Sequence, residues 1–485
     1  MGSLGGAPVS RELERIARDA MIAHGLEPEF PAAAREQLAH LGTPSTAGLR
    51  DLRALPWSSI DNDDSRDLDQ LEVAIEENTG TRILIAIADV DLLVPKDSPL
   101  DAHAALNTTS VYTPARVFPM LPPELSTDRT SLNEDTDRAA MVVDMTIDGA
   151  GSLIASDVYR GLVRNKAQLT YNAIAAWLDD AGPEPKAVGR NQEIAAQVRL
   201  QDAVASRLHA LRVVEGALEF ERSELRPVVD GDTVTELRTD KPNRAKSLIE
   251  NFMVTANGVT ARFLSEHGMA AIRRIVRSPE RWSRIAALAS EYGTTLPAEP
   301  DARALQIFLK ERRAADPDTF PDLSLSVIKL LGRGEYVAEG AGQASAHFAL
   351  ATGTYSHSTA PNRRFPDLVT QRLLKAAIAG RTPPYALNAL TSLAAHCTRQ
   401  EDAANKVERL AAKAAAALWL TPKIGESFNA IVTGAGPKGT WVRIMPTPVE
   451  GRLERGAEGL DVGDRVRVRL LSTDPRRGFI DFARS

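Results

Sequence analysis

The sequence predicts a chain of several domains that mixes strands with long helices and closes in a small β-barrel. Three observations predict it. At 485 residues the chain exceeds what one core organises, so two to four domains are expected. The tail from Ile424 breaks into five short strand-like segments, 428–432, 441–445, 449–453, 465–471 and 479–482, separated by Gly, Pro and Asp, which is the pattern of an OB-type barrel. Upstream, alternating runs such as Leu71-Val73-Ile75 and Ile83 to Ile87 stand beside amphipathic helical patterns such as Arg244 to Phe263.

Composition narrows the class. An apolar fraction of 43% and a charged fraction of 25% are those of a soluble globular protein. No apolar run approaches the length of a membrane span, and Met1-Gly2-Ser3-Leu4 does not begin a secretory signal, so no membrane partner is expected. Cys397 is the only cysteine, which excludes internal disulfides and thiolate metal clusters and suits a reducing cytoplasm. The formal charge of −6 argues against a nucleic-acid partner, but its distribution argues the other way. Basic residues gather at Lys241-Arg244-Lys246, Arg273-Arg274-Arg277, Arg363-Arg364, Arg372-Lys375 and Arg465-Arg467-Arg469, as a basic channel in an acidic protein requires.

Taken in order, residues 10–41 read as two helices. Leu13, Ile16, Ala17, Ala20 and Met21 keep helical spacing, Gly25 ends the first helix, and the second runs toward Leu38 and Leu41. Such a unit is either a helix-turn-helix that touches nucleic acid or a packing cap. Ser59 to Glu72 follows, with five aspartates (Asp61, Asp63, Asp64, Asp67, Asp69) and Glu72. So many carboxylates repel unless a cation or a solvated turn separates them, and hard divalent ions take such oxygen ligands. A calcium loop fits the spacing, but Arg66 occupies the position that needs Gly, and the flanks read as strands rather than helices. Pro95 to Ala105 leads into a helix, and Pro114, Pro119, Pro122 and Pro123 mark an ordered loop that carries Tyr112. Ala139–Ile147 and Ile154–Val163 read as paired strands, residues 167–211 as helical with a break near 182, and Glu401–Leu420 as an Ala-rich helix containing Glu408. In the barrel, Phe428 and Trp441 are candidates for stacking on bases, with filling of the interior as the alternative. Trp441 follows Lys438-Gly439, which favours the stacking role there.

Four segments occur together in one order: the acidic stretch; Ser110-Val111-Tyr112 with Pro119-Met120-Leu121-Pro122; Ile249-Glu250-Asn251-Phe252-Met253; and Ala360-Pro361-Asn362-Arg363-Arg364-Phe365-Pro366-Asp367. In this the chain resembles the RNB family, exoribonucleases of ribonuclease II or R type. The resemblance implies an α+β catalytic domain over 51–421, preceded by the helical module 1–50 and followed by an S1-type OB-fold RNA-binding domain over 422–485. It implies processive 3′-to-5′ hydrolysis of single-stranded RNA to 5′-nucleoside monophosphates by a monomer, with Mg²⁺ or Mn²⁺. Carried onto this sequence, Asp61, Asp67, Asp69 and the neighbouring Gln70 fall at the metal. Asp69, Arg363, Tyr112 and Glu408 fall at the catalytic positions, and Tyr112, Arg363, Arg364, Trp441 and Phe428 on the RNA.

Two features depart from the family pattern. The second of its two adjacent aspartates is Gln70, which offers an oxygen but no charge. The short N-terminal stretch leaves no room for tandem cold-shock barrels. Physical chemistry supports the enzyme reading on its own terms. Two divalent ions about 4 Å apart stabilise attacking and leaving oxygens of a phosphodiester, and an arginine fork suits the transition-state phosphate. The competing expectations are a non-catalytic RNA-binding protein on the same scaffold, motivated by Gln70, and a nuclease that acts on DNA.

Overall fold

The computed structural model describes residues 11–221, 224–230, 233–240, 242–317, 319–340, 342, 346–436 and 439–485. Lys241 of the basic clusters, and the Lys438 that precedes Gly439, lie outside the described residues.

A seven-stranded sheet carries the acidic stretch. Its strands are β1 (Arg50–Asp51), β2 (Ser58–Asp61), β3 (Gln70–Glu77) and β4 (Gly80–Ala88), then β7 (Asp137–Ile147), β8 (Leu153–Arg164) and β9 (Ala167–Thr170), while the short pair β5 (Val111–Tyr112) and β6 (Val117–Phe118) stands apart from it. The sheet order is β1-β8-β7-β4-β3-β2-β9. β3 and β4 form a hairpin that turns through Asn78-Thr79-Gly80, in register from Gln70↔Ile87 to Glu77↔Gly80. Gly80 is required there, because a Cβ would lie 2.3 Å from the Ile147 carbonyl oxygen of the neighbouring strand. Leu71, Val73, Ile83, Ile85, Val142 and Met145 are buried in the core.

Two sequence expectations change here. Residues 167–170 are a strand, β9, parallel to β2 from Ser58↔Ala167 to Asp61↔Thr170. Four residues cannot display a period against the helix Tyr171–Leu178 that follows them, and the open edge of β2 supplies the partner. The Ala-rich helix begins at Leu387, well before Glu401, and runs to Leu420. Its 34 residues span roughly 50 Å. The free edge of β3 beyond Ser58 is closed by a side chain: the Gln197 amide accepts from Ala74 N–H and donates to Ala74 C=O, both at 2.7 Å.

The helix Arg244–Glu266 lies across β7 and β8, burying Ile249, Phe252 and Ala256 as its periodicity predicts. The N-terminal helix Arg11–Ala23 packs on the 387–420 helix, where Ala403, Ala404 and Ala411 allow close approach to Ala17, Ala20 and Met21. Val111 and Phe118 of the β5–β6 hairpin complete that cluster, and Arg116 of the hairpin pairs with Glu14 at 2.9 Å.

Further strands are β10 (Glu224–Asp230) with β11 (Thr233–Asp240), and β12 (Ala271–Val276) with β13 (Gly334–Glu339). The tail forms a closed barrel of β14 (Ser427–Gly436), β15 (Gly439–Met445), β16 (Glu450–Arg455), β17 (Arg465–Asp474) and β18 (Phe479–Arg484), in the order β14-β15-β16-β18-β17. Ala430, Val432, Val442, Ile444, Val468 and Phe482 fill its interior. The barrel rests on the end of the long helix through Ala414 to Leu420, and Arg443 grips Asp322 with two hydrogen bonds of 2.6 and 2.8 Å.

Candidate active site

The acidic stretch is a loop pinned between two strands. β2 ends at Asp61, β3 starts at Gln70, and the residues between turn tightly. Asp61 Oδ1 accepts from its neighbour's N–H (Asn62, 2.7 Å) and from Ser65 Oγ–H (2.9 Å), as short polar side chains do in turns. Leu68 is stapled by its N–H to Ser131 Oγ and by its C=O to Leu132 N–H, each at 3.0 Å. Asp63 and Asp64 face outward and are exposed, and Asp63 accepts a hydrogen bond from Asn172 at 2.6 Å. They do not turn inward to make up for Gln70.

Asp69 is driven into the protein at 2% exposure. Its Oδ1 accepts the Asn362 backbone N–H at 3.0 Å, and its Oδ2 lies 3.8 Å from Arg363 Nε. Burial outweighs the attraction of Arg363, Asp67 adds repulsion, and the carboxyl is pushed up to about 8. Asp67 is half-buried and also raised, chiefly by burial. Arg363 opposes that shift, Asp61 reinforces it, and the Tyr112 hydroxyl beside it favours the charged form. Tyr112 itself is held above the usual phenol range by burial, and feels Arg363, Asp67, Asp69 and Asp61 in turn. The structure therefore brings Asp61, Asp67, Asp69, Tyr112 and Arg363 into one electrostatic neighbourhood.

Main-chain bonds hold this geometry. Ser110 N–H donates to Arg363 C=O at 3.0 Å and Phe365 N–H to Thr108 C=O at 2.8 Å, sewing the arginine loop to the segment that leads into Tyr112. Glu408 reaches from the long helix to accept the Tyr112 backbone N–H at 2.8 Å. Tyr112 as a residue stays 42% exposed beside Val117, its cross-strand partner. Gln70 is buried at the start of β3.

Two expected RNA contacts are corrected. Arg364 turns inward: it pairs with the fully buried Asp367 at 2.7 Å and is committed to holding the loop, which leaves Arg363 as the arginine that faces the acids. Phe428 projects to the interior side of β14 and meets Phe482 edge-on, with 6.5 Å between ring centroids. Trp441 lies half-buried on the outer face of β15, because its neighbours Thr440 and Val442 take the inward positions. Most of the proposed basic channel is likewise spent on internal pairs. Arg273 faces Glu339, Arg274 faces Glu401, and Arg372 and Lys375 face Asp91. Arg465, Arg467 and Arg469 do alternate outward along β17.

Sequence reasoning named Glu72 in the acidic stretch but not among the site residues, and it missed Tyr171. Glu72 is fully buried, and neither carboxylate oxygen has a hydrogen-bond partner. Burial holds it well above the usual carboxylate range and Asp61 adds to the shift. Tyr171, raised chiefly by burial, feels Asp61 and Glu72 together. The available signal was the alternation of β3, which sets Glu72 on the same face as Gln70.

Among the described residues no three Asp, Glu, His or Cys side chains form a ready-made metal cage. The donor set nevertheless suits a hard divalent ion. Carboxylates forced together, raised by burial and by each other, and a buried carboxylate with two unpartnered oxygens are the state that a dication relieves.

An α+β scaffold with buried acids opposite a tyrosine and an arginine, followed by an OB barrel, defines a class, and comparison with known proteins names it. Residues 49–380 match the RNB domain, and residues 426–485 match the RNase II-type exonuclease C-terminal S1 domain. The chain belongs to the RNB family. Ribonuclease R of Escherichia coli (strain K12) is 28% identical over 96% of this chain and 61% of its own length, so the chain spans about three-fifths of that relative. Among solved structures, Mycoplasma genitalium RNase R in complex with ribose methylated single-stranded RNA superposes with a TM-score of 0.89 at 21% identity, over 98% of this chain and 78% of that one. Yeast Ssd1, described as a pseudonuclease, shares the fold at a TM-score of 0.72 and 17% identity, over 94% of this chain and 57% of its own. At those identities the likeness is one of fold.

Proposed function

We propose that the protein is a metal-dependent exoribonuclease that hydrolyses single-stranded RNA from its 3′ end to 5′-nucleoside monophosphates. The observation that carries this reading is the convergence of Asp61, Asp67 and Asp69 with Tyr112 and Arg363. Family membership supports it, as does an outward tryptophan on the barrel.

Asp61, Asp67 and Asp69 would hold Mg²⁺ or Mn²⁺, which when bound activates water and neutralises charge on the phosphodiester. The protein's own residues do the rest. Asn362 N–H fixes the rotamer of Asp69. The half-exposed Arg363 guanidinium, resting beside Asp69, keeps N–H groups free for a developing phosphate charge. Tyr112 gives the terminal base a stacking surface, and Glu408 keeps that surface at a fixed height through the backbone.

Labelled RNA incubated with Mg²⁺ should yield mononucleotides, and Asp69→Asn should abolish their release while single-strand binding persists. Unchanged turnover in that variant would defeat the assignment. The second reading, an RNA-binding protein without catalysis, is favoured by one observation: Gln70 replaces a charge. It predicts RNA binding with no mononucleotide release in any divalent metal. Replacing the ribo-oligomer by its deoxy counterpart tests the DNA alternative, since the 2′-hydroxyl separates the two.

A further inference from the structure

The corner holds an anomaly that the catalytic reading does not use. Buried polar atoms are almost always hydrogen-bonded, so each exception calls for an account. Four oxygens on three adjoining residues are exceptions here: Glu72 Oε1 and Oε2, Ser58 Oγ and Gln201 Oε1. Ser58 is the residue directly opposite Glu72 in the β2–β3 pair, which sets their Cβ atoms about 5 Å apart on one face. Gln201 approaches from the helix Gln192–Glu215, donating to the Glu72 backbone C=O at 3.4 Å. Glu72 and Ser58 are wholly buried, and so is Gln201. Buried oxygens gathered with so few donors suit a cation or the water shell of one.

Its position matters as much as its chemistry. Alternation along β3 sets Glu72 on the face of Gln70, one pleat repeat inward, or roughly 7 Å. The strand thus carries no ionisable group at Gln70 and buries a carboxyl at the next position on that face. We propose that Glu72 is the fourth acidic member of the metal-binding set, supplying from inside the sheet the negative charge that Gln70 lacks. Ser58 and Gln201 complete its oxygen lining. The inference rests on the metal-dependent reading of the site and extends it to a residue outside the acidic loop.

Mn²⁺ titrated onto metal-free protein, with free Mn²⁺ read by electron paramagnetic resonance, tests this without any turnover. Glu72→Gln keeps the shape and removes the charge, and it should weaken Mn²⁺ binding by roughly ten-fold or more. Adding Gln70→Asp to that variant should restore the affinity. Gln70→Asp alone, with Glu72 intact, should tighten Mn²⁺ binding and lower the melting temperature of the metal-free protein, because the two carboxylates then share one face. This single variant carries the test if Glu72→Gln fails to fold. Should Glu72→Gln bind Mn²⁺ as the parent does, Glu72 is a neutral acid bonded to Gln201 and the inference falls alone. It falls in the same way if Gln70→Asp changes neither quantity. If the parent protein binds no Mn²⁺, the inference and the metal-dependent reading fall together.

Discussion

The two ends of the protein treat charge in opposite ways. At the acidic corner, Asp69 and Glu72 are buried and no side chain neutralises them within hydrogen-bond distance, a costly arrangement. On the barrel the charged residues stand outside: Arg465, Arg467 and Arg469 alternate with interior apolar residues, and Trp441 shares the outer surface of β15. Under the proposed function, the buried acids would fix geometry at the reacting bond, while the outward arginines and the half-buried Trp441 would supply affinity along a strand. The first region should therefore govern rate, and the second should govern binding.

Variants that separate rate from affinity sharpen this contrast. Asp69→Asn should lower single-turnover cleavage by about 10³-fold or more, while RNA affinity changes little. A comparable loss of both would break the division of labour. Tyr112→Ala, at the border of the two roles, should cost one stacked base, roughly 1–3 kcal/mol, seen as about a ten-fold fall in kcat/KM on short oligomers. Trp441→Ala should weaken binding of long RNA by about five-fold, the lower end of the stacking range, and leave cleavage of a bound trimer unchanged. An altered trimer rate would mean that the barrel reaches the reaction.

The smallest effect concerns His103, in the helix Pro99–Asn107 beneath the N-terminal helices. His103 is 4% exposed, hydrogen-bonds Asn107 at 3.3 Å and packs on Phe30, and burial holds it below its ordinary value, against the pull of Glu27. Its proton affinity is lower in the fold than in the unfolded chain, which takes up a proton below about pH 6.5, so the unfolded chain binds more protons there. Stability must fall as pH drops below that value. His103→Gln should flatten the difference in melting temperature between pH 7.5 and 5.5, by no more than roughly 2 °C for a chain of this size. An equally steep profile in the variant would assign the pH dependence elsewhere.

Much of this was legible in the sequence because the signals were local. The barrel shows in its strand spacing and the acidic loop in its composition, and Arg244 to Phe263 shows in its period. What was not legible depends on partners far along the chain. Arg363 and Arg364 are identical side chains in adjacent positions. Only the loop's bonds to Thr108 and Ser110, and the buried Asp367, decide that one faces Asp69 and the other faces inward. β9 exists because β2 leaves an edge to pair with, which no window around residues 167–170 contains. Phe428 and Trp441 differ only in which side of a closed barrel they occupy. Glu72 reads as one more acid until burial singles it out.

The amide of Gln197 at Ala74 carries a consequence for how the molecule assembles. A strand that slips by one residue turns its entire side-chain set over, and an uncovered edge invites another chain to add to it. By imitating a neighbouring strand at one residue, Gln197 blocks both outcomes on the very strand that begins beside Asp69. Gln197→Ala should accordingly surface first as aggregation during refolding, before any change in the native protein's melting temperature is measurable.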